Sequence, residues 1–228
     1  NYDITFVDGS FVIDPAALTV TANDAARTYG AGNPDLTATI TGFVLGDDAD
    51  ILDGTLAVTT DATDTSNAGD YAITAGGLGT TNQNYAITYV DGTLSVDPAA
   101  LTVSVNDADR TYGAANPAFT ASYDGFVLGQ DADVLDGTLA FTTDATPQSD
   151  VGTYDVTAGG QSSGNYAISY LGGSLEIDPA ALTVSVNDAD RTYGAANPAF
   201  TASYDGFVLG QDANVLDGTL AFTTDATP

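Results

Sequence analysis

The sequence predicts a mainly β protein built from small domains in tandem, and three observations support this class. Short motifs recur along the 228-residue chain at spacings of 83 and 81 residues. Within each unit, stretches such as Leu101–Val105 alternate apolar and polar residues, which is typical of half-buried strands. All acidic residues except Glu176 are Asp, which is unfavourable in helix interiors and favoured in turns.

The recurring motifs define the domain organisation. Each unit ends with an Asp-Pro pair: Asp14-Pro15, Asp97-Pro98 and Asp178-Pro179. We therefore define repeat 1 as residues 16–98, repeat 2 as residues 99–179 and repeat 3 as residues 180–228, which matches the first part of repeat 2. Residues 1–15 match the end of a unit, and we interpret them as the terminal strands of a preceding repeat.

The neighbouring copies are nearly identical. Repeats 2 and 3 differ over their aligned positions only at Asp133, which is replaced by Asn214. Such similarity indicates recent duplication, and we expect the chain to be a section of a longer array.

The connections between repeats predict a stiff rod. No Gly/Ser linker separates the last strand of one repeat from the first strand of the next. Pro98 and Pro179 stand at these joints, and proline fixes its own φ and keeps the preceding residue extended. Two strands joined by one stiff residue make a poor hinge.

Each repeat is expected to contain six strands and one short helix. In repeat 2 the strands are predicted at 101–105, 119–123, 138–142, 154–157, 166–170 and 174–177. Asp91-Gly92, Gly172-Gly173 and Asp8-Gly9 predict two-residue hairpin turns. Residues 46–54 predict one or two helical turns, with Asp near the start, Gly at the end, and Ile51 and Leu52 facing inward.

Composition excludes several functions. The chain carries 3 Arg, no Lys and 31 acidic residues, a formal net charge of −28, which disfavours binding to nucleic acid or anionic membranes. It contains no His or Cys, so the usual zinc, haem and iron–sulfur ligand sets and the His-based catalytic triads are absent. No apolar run approaches the length of a membrane span. We therefore expect no enzyme, no nucleic-acid partner and no membrane insertion by this segment.

An ordered set of motifs recurs in each repeat. In repeat 1 it comprises Arg27-Thr28-Tyr29-Gly30, Asn33-Pro34, Gly42-Phe43, Gly69-Asp70-Tyr71, Asn84-Tyr85 and Gly92-Thr93-Leu94. In repeat 2 it includes Arg110-Thr111-Tyr112-Gly113, Asn116-Pro117, Gly152-Thr153-Tyr154 and Asn165-Tyr166. This set resembles the MBG domain of the YGX type, found as repeats in large bacterial surface proteins.

The resemblance has implications for fold and function. It implies an extracellular adhesin or fibre stalk, kinship with mucin-binding MucBP-type modules and a β-grasp-like fold, with an Ig-like β-sandwich as the alternative. It supplies no catalytic residues. The chain has Arg before Thr-Tyr-Gly, where a Lys is common in the family.

No cofactor is expected, apart from calcium as a candidate ligand of the acidic clusters. One candidate is the loop set Asp131, Asp133 and Asp136, equivalent to Asp48, Asp50 and Asp53 in repeat 1 and to Asp212, Asn214 and Asp217 in repeat 3. Its spacing is not that of an EF-hand, and a capped helix start with a solvated loop is the alternative. The second candidate is a junction set of Asp107, Asp109 and Asp178, which would meet at one end of the repeat if its first and last strands ran parallel.

The arginines and the Tyr-Gly tyrosines are interpreted as structural. Arg27, Arg110 and Arg191 are expected to form an ion pair or to hold loop carbonyls, with binding of a ligand carboxylate as the alternative. Tyr29, Tyr112 and Tyr193 are expected to pack at a core edge and hydrogen-bond through the hydroxyl, with a sugar-stacking platform as the alternative.

Three functions remain in order of preference. The first is a structural stalk or fibre segment outside a bacterial cell, whose partners are its own neighbouring repeats. The second is a module that binds glycan, mucin or matrix, and the third is a filament of like chains. Mutual repulsion of the acidic chains argues against the third unless cations bridge them or edge strands pair.

Overall fold

The computed structural model describes residues 1–80 and 83–227 and confirms the mainly β class and the tandem organisation. The described residues of repeat 1 form seven strands. These are β1 (Ala16–Ala22), β2 (Ala25–Thr28), β3 (Ala38–Thr41), β4 (Leu52–Thr60), β5 (Gly69–Thr80), β6 (Tyr85–Val90) and β7 (Gly92–Asp97).

The strands of repeat 1 form two sheets. One has the order β3-β1-β6 and the other the order β2-β7-β5-β4. Alternate residues of these strands point into the core, so Leu18, Val20, Ile73 and Leu94 are fully buried.

A parallel ladder joins the beginning of repeat 1 to its end. Ala16 lies opposite Tyr85 in the first sheet and Thr28 lies opposite Asp97 in the second, a constant offset of 69 residues. Only Asn23 and Asp24 separate β1 from β2, and a single residue separates β6 from β7. The two segments 16–28 and 85–97 are therefore bent strands that run side by side and cross together from one sheet to the other.

This crossing shows that the predicted hairpin turns are wrong. At Asp91-Gly92 the flanking strands β6 and β7 lie in different sheets and do not pair with each other. The φ of Gly92 does not lie in the positive range. A two-residue hairpin with a type I′ turn would need a positive φ at both central residues. Glycine is required there for space, since a Cβ atom would lie 2.5 Å from the carbonyl oxygen of Ala22.

The other two predicted hairpins fail as well. Gly172-Gly173 lies at the equivalent crossing in repeat 2, where a Cβ atom at Gly173 would lie 2.6 Å from the carbonyl oxygen of Val105. Asp8-Gly9 lies in residues 1–15, which form no strand and are exposed.

Repeat 2 has the same arrangement. Its strands are β8 (Ala99–Val105), β9 (Ala108–Thr111), β10 (Ala121–Asp124), β11 (Asp136–Thr142), β12 (Gly152–Ser162), β13 (Tyr166–Leu171) and β14 (Gly173–Asp178). The sheets have the orders β10-β8-β13 and β11-β12-β14-β9. In repeat 3, β15 (Thr183–Val186) pairs with β16 (Ala202–Asp205).

The predicted helical segment is a single 3₁₀ turn in each repeat. In repeat 1 the turn spans Ala49–Ile51, and the side chain of Asp48 caps it by accepting a hydrogen bond from the backbone of Asp50. Ile51 and Leu52 are half-buried. The turn is short because β4 begins immediately afterwards, at Leu52.

The chain divides into two compact units that cut across the repeats. The first comprises residues 1–101, 125–136 and 162–168, and thus contains all of repeat 1 together with two loops and the starts of two strands of repeat 2. The second comprises residues 102–124, 137–161 and 169–228. Within the described part of the chain, no helix is long and apolar enough to cross a membrane.

Candidate functional site

Arg27 forms an arginine clasp, which we define as Arg27, Asn33 and the carbonyls of the loop at Ala62 and Thr63. The guanidinium donates to Asn33 Oδ1 at 2.7 Å and to the carbonyl oxygens of Thr63 at 2.6 Å and Thr28 at 3.3 Å. Asn33 in turn donates to the carbonyl of Ala62 at 2.6 Å. The clasp therefore ties the end of β2 to the loop that follows β4.

The clasp recurs in repeat 2 around Arg110. Its guanidinium donates to Asn116 Oδ1 at 2.8 Å and to the carbonyl of Thr146 at 2.6 Å. The acceptors are neutral, so the structure shows carbonyl binding and not an ion pair. Arg27 and Arg110 are buried, with 7% and 6% of their surface exposed, which leaves no open guanidinium face for the alternative of a ligand carboxylate. In repeat 3, Arg191 donates to Thr227 and Ala195.

Tyr29 lies directly after the clasp and contacts residues of repeat 2 that belong to the same compact unit. Its ring packs edge-on against Tyr166, with 5.6 Å between ring centroids. Its hydroxyl accepts a hydrogen bond from Gln130 Nε2 at 3.0 Å, while Tyr166 donates to Gln130 Oε1 at 2.6 Å. Gln130 thus bridges the two tyrosines through both ends of its amide.

Gly30 completes this contact, which we call the Tyr-Gly junction: Tyr29, Gly30, Val127, Gln130 and Tyr166. The φ of Gly30 is 81°, in the left-handed region that glycine tolerates. A Cβ atom at Gly30 would lie 2.5 Å from Val127 Cγ2, so only glycine lets repeat 2 approach this closely.

The second compact unit contains the equivalent junction between repeats 2 and 3. Tyr112 accepts a hydrogen bond from Gln211 Nε2 at 2.9 Å, and a Cβ atom at Gly113 would lie 2.7 Å from Val208 Cγ2. Tyr193 is fully exposed, and nothing lies within 4 Å of a Cβ atom at Gly194. The packing of the tyrosine ring therefore depends on the repeat that follows it.

A second polar contact supports the first junction. Asn165 Oδ1 accepts a hydrogen bond from the backbone of Ala68 at 2.9 Å, and Asn165 Nδ2 donates to Asn67 Oδ1 at 3.0 Å. The backbone carbonyl of Asn165 also accepts from Ala99, at the start of β8. This contact explains why Asn precedes Tyr in the recurring motif.

Sequence reasoning missed Val127, Gln130 and Asn165 as junction residues. The feature that marks this turn lies in the backbone of the leucine between Val127 and the following Gly, which the sequence alone does not show. Leu128 has a φ of 56°, which is unusual for a residue other than glycine and marks a constrained turn. Its exposed fraction is 45%, whereas the equivalent Leu45 of repeat 1 is 99% exposed.

Repeat 1 has a surface equivalent to the one with which repeat 2 contacts Tyr29. A groove of about 350 Å³ is lined by Pro15, Val44, Asp47 and Tyr85 among others. Asp47 takes the place of Gln130 and accepts a hydrogen bond from the Tyr85 hydroxyl at 2.8 Å. The pKa of Tyr85 is raised: the hydrogen bond from the Val44 backbone acts to lower it, but desolvation and the Asp47 carboxylate outweigh that bond.

The structure does not bring the predicted junction set of carboxylates together. Asp107 lies at the bend between β8 and β9, where it accepts from the Ser174 backbone at 2.8 Å and from the Ser174 hydroxyl at 2.9 Å. Asp109 lies opposite Glu176, and Asp178 lies opposite Thr111 at the end of the ladder. Four residues of strand, about 13 Å, separate Asp178 from Ser174.

The three carboxylates of the junction set stay apart because the chain does not turn back after β8. Because β9 continues the ladder, the acidic segment lies in its middle and not at its end. The first and last parts of the repeat do run parallel, as the β-grasp resemblance implies. The hydrogen bonds from the Ser174 backbone and then from its hydroxyl hold the pKa of Asp107 below the ordinary Asp value, against a smaller effect of desolvation.

One member of the loop set, Asp131, caps a turn in the structure. Asp131 Oδ1 accepts from the backbone of Asp133 at 3.0 Å at the start of the 3₁₀ turn, and Asp136 begins β11. Among residues 1–80 and 83–227, no three acidic side chains converge closely enough to hold a metal ion. Calcium binding therefore remains a prediction from the sequence, without a preformed carboxylate cluster in this part of the chain.

The predicted proline joints lie between strands. Pro98 is the only residue between β7 and β8, and it is exposed. Pro179 directly follows β14, and the next strand begins at Thr183.

Comparisons with known proteins identify the repeats. The sequence model of the MBG domain (YGX type) matches residues 18–95, 101–176 and 182–228. A search of curated proteins found no match. Among solved structures, three N-terminal domains of the bacteriophage RB49 Highly Immunogenic Outer Capsid protein are 17% identical, cover 90% of this chain and 72% of their own, and give a TM-score of 0.27, too low to support an argument. The resemblance drawn from the motifs is confirmed, and the chain belongs to the MBG domain (YGX type) family as tandem repeats.

Proposed function

We propose that the chain is a structural stalk or fibre segment of a bacterial surface protein, and that it holds another part of that protein away from the cell. The observation that carries this proposal is the parallel ladder of repeat 1. The first strand of the repeat starts at Ala16, beside Tyr85. The last strand ends at Asp97, beside Thr28. The chain therefore enters and leaves repeat 1 at opposite ends of the ladder.

This internal geometry suits a spacer. The 13 residues of the ladder measure about 40 Å along the chain at a rise of about 3.3 Å per residue, and the bend shortens the end-to-end distance. An array whose repeats all share this geometry would gain length with every copy. An array of repeats in which the chain entered and left at the same end would instead become thicker without becoming longer.

The Tyr-Gly junction supports the same role because it couples consecutive repeats. Gln130 bonds the tyrosines on both sides, and Val127 fills the space left by the missing side chain of Gly30. Together with Pro98, these contacts restrain rotation at the joint, and restrained joints are what a stalk needs.

A role outside the cell is part of the proposal. MBG repeats are typical of surface proteins, and they are non-catalytic modules, so we propose no enzymatic activity. A net charge of −28 would keep neighbouring stalks apart and soluble where salt screens the charge.

No specific observation favours glycan binding over the stalk role. Two of the three tyrosines that could stack on a sugar are engaged elsewhere, since Tyr29 is buried against Tyr166 and Tyr112 is bonded to Gln211, while Tyr193 is exposed.

Small-angle scattering of the 228-residue chain tests the proposal. A compact chain of this length has a radius of gyration of about 17 Å, and a spacer should exceed this value clearly. Tyr29→Ala removes the ring that packs on Tyr166 and should broaden the distribution of shapes, whereas Tyr193→Ala, which changes an exposed ring, should not. A radius near the compact value, or identical scattering from both variants and the wild type, would contradict a coupled stalk.

A further inference from the structure

We infer that each whole repeat is a load-bearing clamp, in which the parallel ladder resists tension on the chain by being sheared along its length. The inference goes beyond the spacer role, since a spacer need not carry tension. It rests on the direction in which the backbone of repeat 1 transmits a force from one end to the other.

The ladder lies directly in the force path. Tension on the chain pulls residue 16 toward the preceding segment and residue 97 toward the following one. Ala16 and Asp97 are at opposite ends of two parallel segments, so the pull slides segment 16–28 past segment 85–97. In this geometry the hydrogen bonds of the ladder are loaded together, because neither segment can move without displacing every pair.

Hydrogen bonds secure the ladder at both ends and at its bend. At one end the backbone of Ala16 donates to the Asn84 carbonyl at 2.8 Å, and at the other Tyr29 donates to the Asp97 carbonyl at 2.8 Å. At the bend, where the strand pairing is interrupted, the backbone of Thr93 donates to Asp24 Oδ1 at 2.7 Å. The side chain of Asp24 thus replaces a backbone partner.

Burial protects the ladder from water. Leu18 and Val20 from one segment, and Leu94 and Val96 from the other, are between 0% and 2% exposed. Water cannot readily compete for the bonds between such residues, so the ladder must slide before it hydrates. The arginine clasp adds a further constraint at the Asp97 end, because it anchors Arg27, the partner of Val96, to the Thr63 loop.

Repeat 2 repeats the device. Leu175 lies opposite Ala108 and Asp178 opposite Thr111, a constant offset of 67 residues. Asp107 closes the bend by accepting from the Ser174 backbone, as Asp24 does from Thr93. This role accounts for Asp107, which the calcium hypothesis counted among the metal ligands.

The test is single-molecule force spectroscopy of the full chain, which contains no cysteine and so accepts handles at introduced ones. Asp14→Cys with Asp97→Cys applies the force across repeat 1 in shear. Asp14→Cys with Gln83→Cys applies it at one end of the ladder, where the strands separate one pair at a time. The three changed positions are exposed, and the melting temperatures of both variants are measured first so that only the loading direction differs.

At equal pulling rate we expect repeat 1 to unfold at a force about twofold or more higher in shear, because forced unfolding reports the barrier along the loaded direction. An equal or lower force in shear would overturn the inference. The measurement concerns repeat 1 alone, so it can fail while scattering still supports a stalk, and it can succeed if the stalk proposal fails.

Discussion

Gly30 and Val127 lie so close together that a Cβ atom at Gly30 would come within 2.5 Å of Val127 Cγ2. One residue belongs to repeat 1 and the other to repeat 2, so the glycine of the Tyr-Gly motif serves the neighbouring repeat as well as its own turn. The same relationship recurs between Gly113 and Val208, at 2.7 Å. The motif is thus explained by the contact between consecutive repeats.

Gly30→Ala should destabilise the chain more than Gly194→Ala. Both glycines have a φ of 81°, so both variants carry a similar backbone strain of about 1–2 kcal/mol. Only Gly30 faces a neighbour, and overpacking against Val127 should add about 1–3 kcal/mol to the loss of unfolding free energy. Urea denaturation followed by circular dichroism measures both values.

A double-mutant cycle isolates the contact. Val127→Gly removes Cγ2 and Cβ, the two atoms that would lie 2.5 Å and 2.7 Å from the new methyl group, so Gly30→Ala should cost less in that background. Equal costs in both backgrounds would show that the strain of the turn, and not the junction, determines the effect.

The sequence predicted the strands well because their side chains alternate. Six strands of repeat 2 were expected near their observed positions, and β8 contains the whole predicted stretch from Leu101 to Val105. The short strand β9 was missed because it has four residues and directs a charged side chain, Arg110, toward the interior. Only the acceptors of the clasp make that burial favourable, and one of them, the Thr146 carbonyl, lies in a loop 36 residues away.

Pairing between distant segments could not be predicted from local pattern. Asp91-Gly92 has the composition of a hairpin turn, but β6 and β7 find better partners in the two halves of the first strand. The same reasoning applies to Asp107, whose partner Ser174 is 67 residues away. The tyrosines of the motif were recognised, but the residues that receive them belong to another repeat.

Gly92→Ala tests the crossing. A Cβ atom there would lie 2.5 Å from the Ala22 carbonyl oxygen, and backbone cannot yield as a side chain can. We expect a loss of about 2–3 kcal/mol or failure of repeat 1 to fold. The matched control is Gly9→Ala, at the equivalent position of residues 1–15, where nothing lies within 4 Å. A mild effect at Gly92, no larger than at Gly9, would contradict the close crossing.

Arg110→Ala should lower stability through the clasp. The substitution leaves the Thr146 carbonyl and Asn116 Oδ1 without their donor in a partly buried place, which costs about 1–3 kcal/mol for each unsatisfied group. Arg191→Ala provides the comparison, because Arg191 is more exposed and its bonds are to Thr227 and Ala195. A stability loss at Arg191 as large as that at Arg110 would argue against the buried clasp.

Asp107 should make repeat 2 sensitive to acid. Its pKa is lowered in the folded state by the Ser174 bonds, so its contribution is present above the unfolded Asp pKa and is lost as pH falls through the folded value. Asp107→Asn keeps an oxygen that can accept from Ser174 and removes the titration, so the stability of this variant should fall less steeply with acid. Thermal melting between about pH 2 and pH 7 measures the slope. Asp109→Asn removes a charge two residues away without touching the Ser174 bonds, and a slope change as large as that of Asp107→Asn would assign the effect to net charge.

Salt should stabilise the chain, and most of the effect should come from ionic strength. Thirty-one acidic residues against three arginines repel one another, and screening shortens the range of that repulsion to about 10 Å at 0.1 M salt. The melting temperature should therefore rise with sodium chloride. Calcium chloride at the same ionic strength should add little, since no three carboxylates converge in the described residues. A further rise with calcium that a chelator reverses would revive the metal hypothesis, and comparison of Asp131→Asn with Asp178→Asn would then tell whether the loop or the end of the ladder binds the ion.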